Sequence, residues 1–257
     1  MSVLDVGTCF LGLMVGFCVG LTGVGGAALL TPVLVLIGIQ PTIAVGTDLF
    51  YNAVTKCFGM IRHWRQKTVD WKLVRHFAIG SVPGSIAAVA LLAVFGETLQ
   101  AREQIVETAL GCVLVVAALA TIAKQLFDRG SDGNKIRNKP FEQKRFMTVA
   151  LGAALGFIVG LTSIGSGSLF ALALIYFYRL NGTQVVGTDI AHAFLLATAA
   201  GLMHAGFGHV DYPLAFNLLA GSIPGVWIGS ALSAKVPSKP LRTILATIIL
   251  ISGVKMI

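Results

Sequence analysis

Asp48, Asn52 and Lys56 stand at four-residue intervals within an apolar stretch of the chain. On a helix that spacing puts an acid, an amide and an ammonium on adjoining faces. Asp189 and His192, three apart, repeat the theme later in the sequence. Each acid follows a threonine, in Gly46-Thr47-Asp48 and Gly187-Thr188-Asp189. Carboxylates inside an apolar segment are costly and by default point to function. Thr47, Asp48, Thr188 and Asp189 are therefore candidates for ion coupling, proton relay or gating, and Asn52, Lys56 and His192 for holding a substrate. The structural alternative has Thr-Asp capping a helix start after Gln40-Pro-Thr or Asn181-Gly-Thr, and it stays open. A buried Lys56 is expected to pair with an acid.

A second group is glycine-rich. Gly20-Leu-Thr-Gly-Val-Gly-Gly26 and Gly160-Leu-Thr-Ser-Ile-Gly-Ser-Gly167 each end one apolar segment and start another. A turn feeding a helix leaves backbone N–H groups unpaired, with the positive end of the helix dipole behind them. Two such turns facing one another would suit a small anion. The candidates are Thr22, Gly23, Gly25 and Gly26 in the first turn, and Thr162, Ser163, Gly165, Ser166 and Gly167 in the second, with Ser168 as a further hydroxyl. The alternative is that small residues only let helices pack closely. His63 and His204 at segment ends read as structural, and Asp70 and Asp211 as helix caps beside interfacial Trp71 and Tyr212. The Gly-Ser-x-Pro-Gly turns at 80–84 and 221–225 read as kinks and packing points.

The elements that must position these residues are hydrophobic. Of 257 residues 56% are hydrophobic and 12% charged, with a mean hydropathy of +0.85, whereas soluble domains carry about 25% charged residues. Ten apolar segments follow, at 3–22, 24–39, 42–61, 73–95, 104–126, 146–162, 166–179, 184–204, 213–234 and 241–257. A membrane-crossing helix needs about 20 residues, so the second and seventh are short for a full crossing. The first segment lacks the basic start and cleavage site of a signal peptide. Cys9, Cys18, Cys57 and Cys112 lie inside apolar segments without metal spacing and read as buried free thiols. No cofactor or metal is expected.

The net charge of +8 is explained by topology and not by nucleic acid. Arg62, Arg65, Lys67, Lys72 and Arg75 cluster between the third and fourth segments, and Lys124 through Arg145 around the central loop. Arg179 follows the seventh segment, and Lys235, Lys239 and Arg242 precede the tenth. If every segment crosses, all fall on one face. Basic loops stay cytoplasmic, which puts both termini outside.

Sliding the chain by 140 or 141 residues reveals an internal repeat. Gly16-Phe-Cys-Val-Gly-Leu-Thr22 meets Gly156-Phe-Ile-Val-Gly-Leu-Thr162, and Val45-Gly-Thr-Asp48 meets Val186-Gly-Thr-Asp189. His63 meets His204, Val69-Asp-Trp71 meets Val210-Asp-Tyr212, and Gly80-Ser-Val-Pro-Gly84 meets Gly221-Ser-Ile-Pro-Gly225. The loop before Asp70 is basic and its counterpart before Asp211 has no Lys or Arg, so equivalent loops are expected on opposite faces. The fold class is thus an all-α polytopic membrane protein with two inverted-topology repeats of five segments. Broken or re-entrant helices are expected at the glycine-rich turns. Residues 1–126 and 146–257 form the repeats, and 127–145 a basic cytoplasmic linker. If only 24–39 and 166–179 failed to cross, the repeats would become parallel.

Gly-Leu-Thr-Gly-Val-Gly-Gly near the start, Ala-Val-Gly-Thr-Asp-Leu, His63 before Val-Asp-Trp, and Gly-Ser-Val-Pro-Gly resemble the sulfite exporter TauE/SafE family of bacterial membrane transporters. The resemblance extends over nearly the whole chain, with Tyr212 in place of the usual Trp and a Ser-rich second turn. It implies movement of sulfite, sulfoacetate or related sulfur- or carboxylate-bearing anions through the bacterial inner membrane. The leading expectation is export of a small sulfur oxyanion by alternating access. Ion-coupled uptake of a sulfonate or carboxylate is the nearest alternative, and a membrane-embedded sulfur-relay or thiol enzyme the alternative of another class. The expected partners are the anion and the lipid bilayer, with a homodimer left open.

Overall fold

The computed structural model describes residues 5–22, 27–95, 99–126, 140–165, 167, 169–233 and 238–257. Among the described residues there are ten α-helices and no strands. They are α1 (Val6–Thr22), α2 (Ala27–Leu36), α3 (Pro41–Arg65), α4 (Trp71–Phe95), α5 (Leu99–Leu126), α6 (Phe141–Thr162), α7 (Leu169–Phe177), α8 (Gly182–Gly206), α9 (Tyr212–Ser233) and α10 (Ser238–Lys255). Each apolar segment becomes one helix. Several outrun their apolar stretch at a polar end: α3 continues to Arg65 and α5 begins at Leu99. Hydropathy measures hydrocarbon thickness, whereas a helix can continue hydrogen-bonding into the headgroup layer. Helices α4, α5, α6 and α8 contain stretches long and apolar enough to cross a membrane. In contrast, α2 and α7 have 10 and 9 residues, about 15 and 13.5 Å at ~1.5 Å per residue. Each is about half of a ~30 Å hydrocarbon core.

The outer surface of the bundle is apolar, unlike that of a water-soluble protein. Phe146 is 86% exposed and Trp227 82%, among many large apolar side chains on the outer surface. Thr31, Thr47, Asp48, Ser81, Thr148, Thr162, Thr188 and His204 are buried inside. Water would reverse that arrangement; lipid favours it, because polar side chains then find partners only between helices.

Small residues set the closest approaches. Gly12 and Gly16 of α1 lie against the backbone of Leu218 and Ser222 in α9, where Gly221, Gly225 and Gly229 meet Cys9, Leu13 and Phe17 in return. Gly80 and Gly84 of α4 meet Val149 and Ala153 in α6, and Gly152, Gly156 and Gly160 meet Phe77, Ser81 and Ser85. Both registers rise together along the two chains, so α1 runs parallel to α9 and α4 to α6. The Gly-Ser-x-Pro-Gly motifs are thus close-packing points, with Pro83 and Pro224 inside their helices.

Helices α3 and α8 pack in opposite directions. Gly59, late in α3, meets Ile190, early in α8, and Gly201, late in α8, meets Leu49, early in α3. Their ends exchange equivalent contacts. Asp70 N–H donates to Thr188 Oγ1 and Asp211 N–H to Thr47 Oγ1, each at 3.0 Å. Asp70 Oδ1 accepts from Leu73 N and Asp211 Oδ1 from Leu214 N, so both acids cap the next helix as expected.

The four cysteines are free thiols, but Cys112 is exposed and the other three are half-buried. That departs from the expected burial for a simple reason: an apolar thiol can face lipid as readily as a core.

Candidate functional site

Thr-Asp does not cap its own helix. Thr47 and Asp48 lie about two turns into α3, which begins with Pro41 at its first position. The cap of α8 is Asn181, in a capping box with Gln184. Both acids therefore sit inside their helices, where no orphan amide calls for them, and both are buried.

Asp48 gathers donors from three elements. Thr31 Oγ1 of α2 donates to Oδ2 at 2.6 Å, Ser163 Oγ at the end of α6 reaches the same oxygen at 2.7 Å, and Asn52 Nδ2 donates to Oδ1 at 2.7 Å. Asn52 also donates to the Asp48 carbonyl at 2.9 Å, as the four-residue spacing allows. Thr31 Oγ1 and Ser163 Oγ lie 2.6 Å apart. In this conformation Asn52 and Ser163, candidates for holding substrate, turn toward Asp48.

The second acid meets the second turn. Ser163 ends α6 in the left-handed region at φ 58, and Gly165 and Gly167 follow at φ 124 and 107. These angles favour glycine and swing the Gly167 N–H toward Asp189, which accepts it at Oδ1 at 3.0 Å. The unpaired amide expected of the turn thus does hold an anion, and the anion is the protein's own carboxylate. Lys56, 9% exposed, lies in the field of both acids, Asp189 more strongly than Asp48. Thr162 is buried and back-bonds to Ile158 O at 2.7 Å.

His192 sits one helical turn beyond Asp189. Its Nε2 meets Ser81 Oγ at 2.8 Å and its ring stacks on Phe170 at 4.0 Å between centroids. The equivalent place in α3 is Tyr51, whose hydroxyl lies near Ser222. These two pairs, and Thr31, were not singled out from sequence. The repeated Ser of Gly-Ser-x-Pro-Gly was the available signal for the pairs, and Thr31 is the one polar side chain in α2. His204 donates from Nε2 to Gly160 O at 2.9 Å, and His63 meets Thr68 Oγ1 at 2.9 Å; both roles are structural. Gly23, Gly25, Gly26, Ser166 and Ser168 lie outside the described residues. Thr22 closes α1, and its side chain is likewise not described.

The end of α6 lies alongside α4 and not beyond its end. Gly160 packs on Ser85 and Ala88, while α4 continues to Phe95. From there α7 returns: Lys144 Nζ near the start of α6 donates to Phe177 O at 3.1 Å. The site therefore occupies the inside of the bundle, where α3 and α8 meet the tip of the α6–α7 hairpin and the short helix α2.

Comparison with known proteins fits this architecture. The family model described as Sulfite exporter TauE/SafE matches residues 8–256. The chain belongs to the TauE/SafE family. A Bacillus subtilis relative, Probable membrane transporter protein YjnA, is 55% identical over 254 residues, covering 99% of this chain and 100% of that one. Probable membrane transporter protein YunE of the same organism is 24% identical over 96% of this chain and 95% of its own. A probable membrane transporter protein of Methanocaldococcus jannaschii is 26% identical, covering 95% and 94%. No solved structure matches. Membership in this family, with several apolar helices, makes the chain a multi-pass membrane transporter and not an enzyme.

Proposed function

We propose that this TauE/SafE member exports a small sulfur-containing oxyanion, sulfite or a related organosulfonate such as sulfoacetate, by alternating access across the bacterial inner membrane. One observation carries the proposal: the Gly167 N–H and the charge of Lys56 converge on the Asp189 carboxylate. A backbone donor and an ammonium in a buried place are what a small oxyanion needs, and Asp189 stands as an internal occupant that such an anion would displace. Asn52 and Ser163, turned onto Asp48 in this conformation, and Thr162 and His192 are the further candidate donors, and Thr47, Asp48 and Thr188 belong to coupling or gating.

Two inverted repeats, α1–α5 and α6–α10, would supply the alternation. Support comes from the opposed directions of α3 and α8 and from the reciprocal Thr47–Asp211 and Thr188–Asp70 contacts. In this arrangement α1–α2 and α6–α7 would be hairpins entering from opposite faces. Both termini lie outside and the basic 127–145 linker inside. An inside-negative potential of 100 mV favours outward movement by ~2.3 kcal/mol per negative charge, which gives export a driving force.

The test is flux in proteoliposomes loaded with sulfite. Gly165→Val forces a side chain into φ 124 and against Val159, and Lys56→Met removes the cation. Both are expected to lower sulfite flux about tenfold or more, a barrier change of ~1.4 kcal/mol or greater, while the purified protein stays monodisperse. Full sulfite flux in both variants sinks the site. Transport of sulfoacetate or a carboxylate inward, with sulfite inert, would replace the export assignment by the uptake alternative.

A further inference from the structure

Three oxygens at Asp48 lie at mutual distances that require a count of hydrogens. Thr31 Oγ1 to Asp48 Oδ2 is 2.6 Å, Ser163 Oγ to Oδ2 is 2.7 Å, and Thr31 Oγ1 to Ser163 Oγ is 2.6 Å. Each separation is that of an O–H···O hydrogen bond. A hydroxyl carries one hydrogen, so Thr31 and Ser163 together supply two, and an ionised carboxylate supplies none. Two hydrogens cannot fill three edges, and the unfilled edge would set lone pair against lone pair. A protonated Asp48 supplies the third hydrogen, and the three groups then close a ring in which each donates once and accepts once. Asn52 occupies the other carboxyl oxygen at 2.7 Å. The spacing is also too tight for a cation's ligand shell: even around magnesium, with bonds of ~2.05 Å at right angles, adjacent oxygens stand about 2.9 Å apart.

The surrounding charges agree. Lys56 on α3 and Asp189 on α8 are buried with Asp48; with Asp48 neutral they balance, whereas three ionised groups would leave one uncompensated negative charge inside the bundle. The other titratable groups on the elements packed against this end of α3 are occupied elsewhere or neutral. Tyr51 is a neutral phenol near Ser222, His204 donates to Gly160 O, Glu103 of α5 accepts from Thr42 N, and Asp211 caps α9.

We propose that Asp48 holds an exchangeable proton in this conformation, so that the Thr31–Asp48–Ser163 ring is a proton-coupling site. On release the Asp48 O–H bond breaks, its electron pair stays on the carboxylate and the proton passes to water. One edge of the ring must then open. Because the edges join α2, α3 and the end of α6, that opening loosens the α6–α7 tip from α3. The protonation state itself does not depend on which anion is carried; its use in transport rests on the function proposed above.

The experiment is infrared difference spectroscopy of the full-length protein in lipid, titrated with pH. The wild type is expected to show the carbonyl band of a protonated carboxylic acid at pH 7, lost on titration to higher pH. Asp48→Asn removes the band and Asp189→Asn keeps it. Ser163→Ala, which leaves the acid but removes one hydrogen-bond partner, shifts the band to higher wavenumber and remains informative if Asp48→Asn does not fold. Absence of the band in the wild type, or its persistence in Asp48→Asn, overturns the proposal. In wild-type proteoliposomes at clamped potential, an imposed pH gradient is expected to change the flux severalfold, and a flux indifferent to the gradient overturns the coupling. If sulfite does not move at all while the band behaves as expected, the export assignment falls and the proton on Asp48 stands.

Discussion

At the scale of single residues, the chemistry rests on a few polar groups that have no water to fall back on. Lys56 lies in the field of Asp189 and Asp48, and losing one member of a buried charge set leaves the other unmatched at a cost of about 3–5 kcal/mol. Lys56→Met is therefore expected to lower the thermal midpoint, whereas Lys56→Met combined with Asp189→Asn should recover much of that loss. Equal and additive losses would show that the two charges do not interact. Thr188 offers a second test, because its hydroxyl accepts the Asp70 N–H. Thr188→Ala should cost ~1–3 kcal/mol by leaving that amide without its partner, and Thr188→Ser should restore it; unfolding in a detergent series measures both. The acids and Lys56 were legible in the sequence because charges in apolar segments are rare. Thr31 was not: one hydroxyl in a helix has an ordinary local explanation, and only the fold brings it to Asp48. Nor did the sequence distinguish donors open to a substrate from donors turned onto an acid, which is how Asn52 and Ser163 stand here.

At the scale of helices, packing is decided by where a side chain has no room. A Cβ on Gly80 or Gly156 would run into the carbonyl oxygen of Val149 or Ser81 on the facing helix. Gly80→Val is accordingly expected to cost ~1–3 kcal/mol or more through overpacking. Gly206→Ala, with open space around it, should change stability by no more than about 0.5 kcal/mol. A pair of thermal midpoints checks the contrast, and equal effects would show that α4 and α6 do not approach as closely as described. Element number and order were legible because every helix contains an apolar run. Lengths were less so. Polar residues such as Arg62 and Arg65 continue α3 past the end of its apolar stretch. The Gly-Ser-x-Pro-Gly repeats were read as packing points, which they are, yet Ser81 of the first also holds His192. Packing and polar pairing select the same small residues, so a motif alone cannot separate the two.

At the scale of the whole molecule, the number of crossings in each half decides the side of the membrane on which each end of the site opens. Sequence reasoning expected parallel repeats if only α2 and α7 failed to cross, since four crossings would remain in each half. The α6–α7 geometry changes that count. Lys144 near the start of α6 reaches Phe177 at the end of α7, so the two helices form one hairpin whose members enter and return together. The pair returns the chain toward the face it entered, so α6 and α7 count together in the second half, and a matching α1–α2 pair would keep the number of crossings odd in both halves. An odd count would keep the halves inverted, in line with α3 and α8 running oppositely, and would leave the basic loops on one face. The decisive measurement uses Gln40 and Gly182, exposed residues just before α3 and at the start of α8. In a background with Cys9, Cys18, Cys57 and Cys112 replaced, Gln40→Cys should react with a membrane-impermeant maleimide added outside. Gly182→Cys should react only when the reagent reaches the inside. Gly182 has nothing within reach of an added Cβ, so the substitution itself is tolerated. Labelling of both from one face would make the halves parallel and would remove the basis for alternation between them. Opposite labelling would leave two hairpins, entering from opposite faces, to converge on Asp48, Lys56 and Asp189.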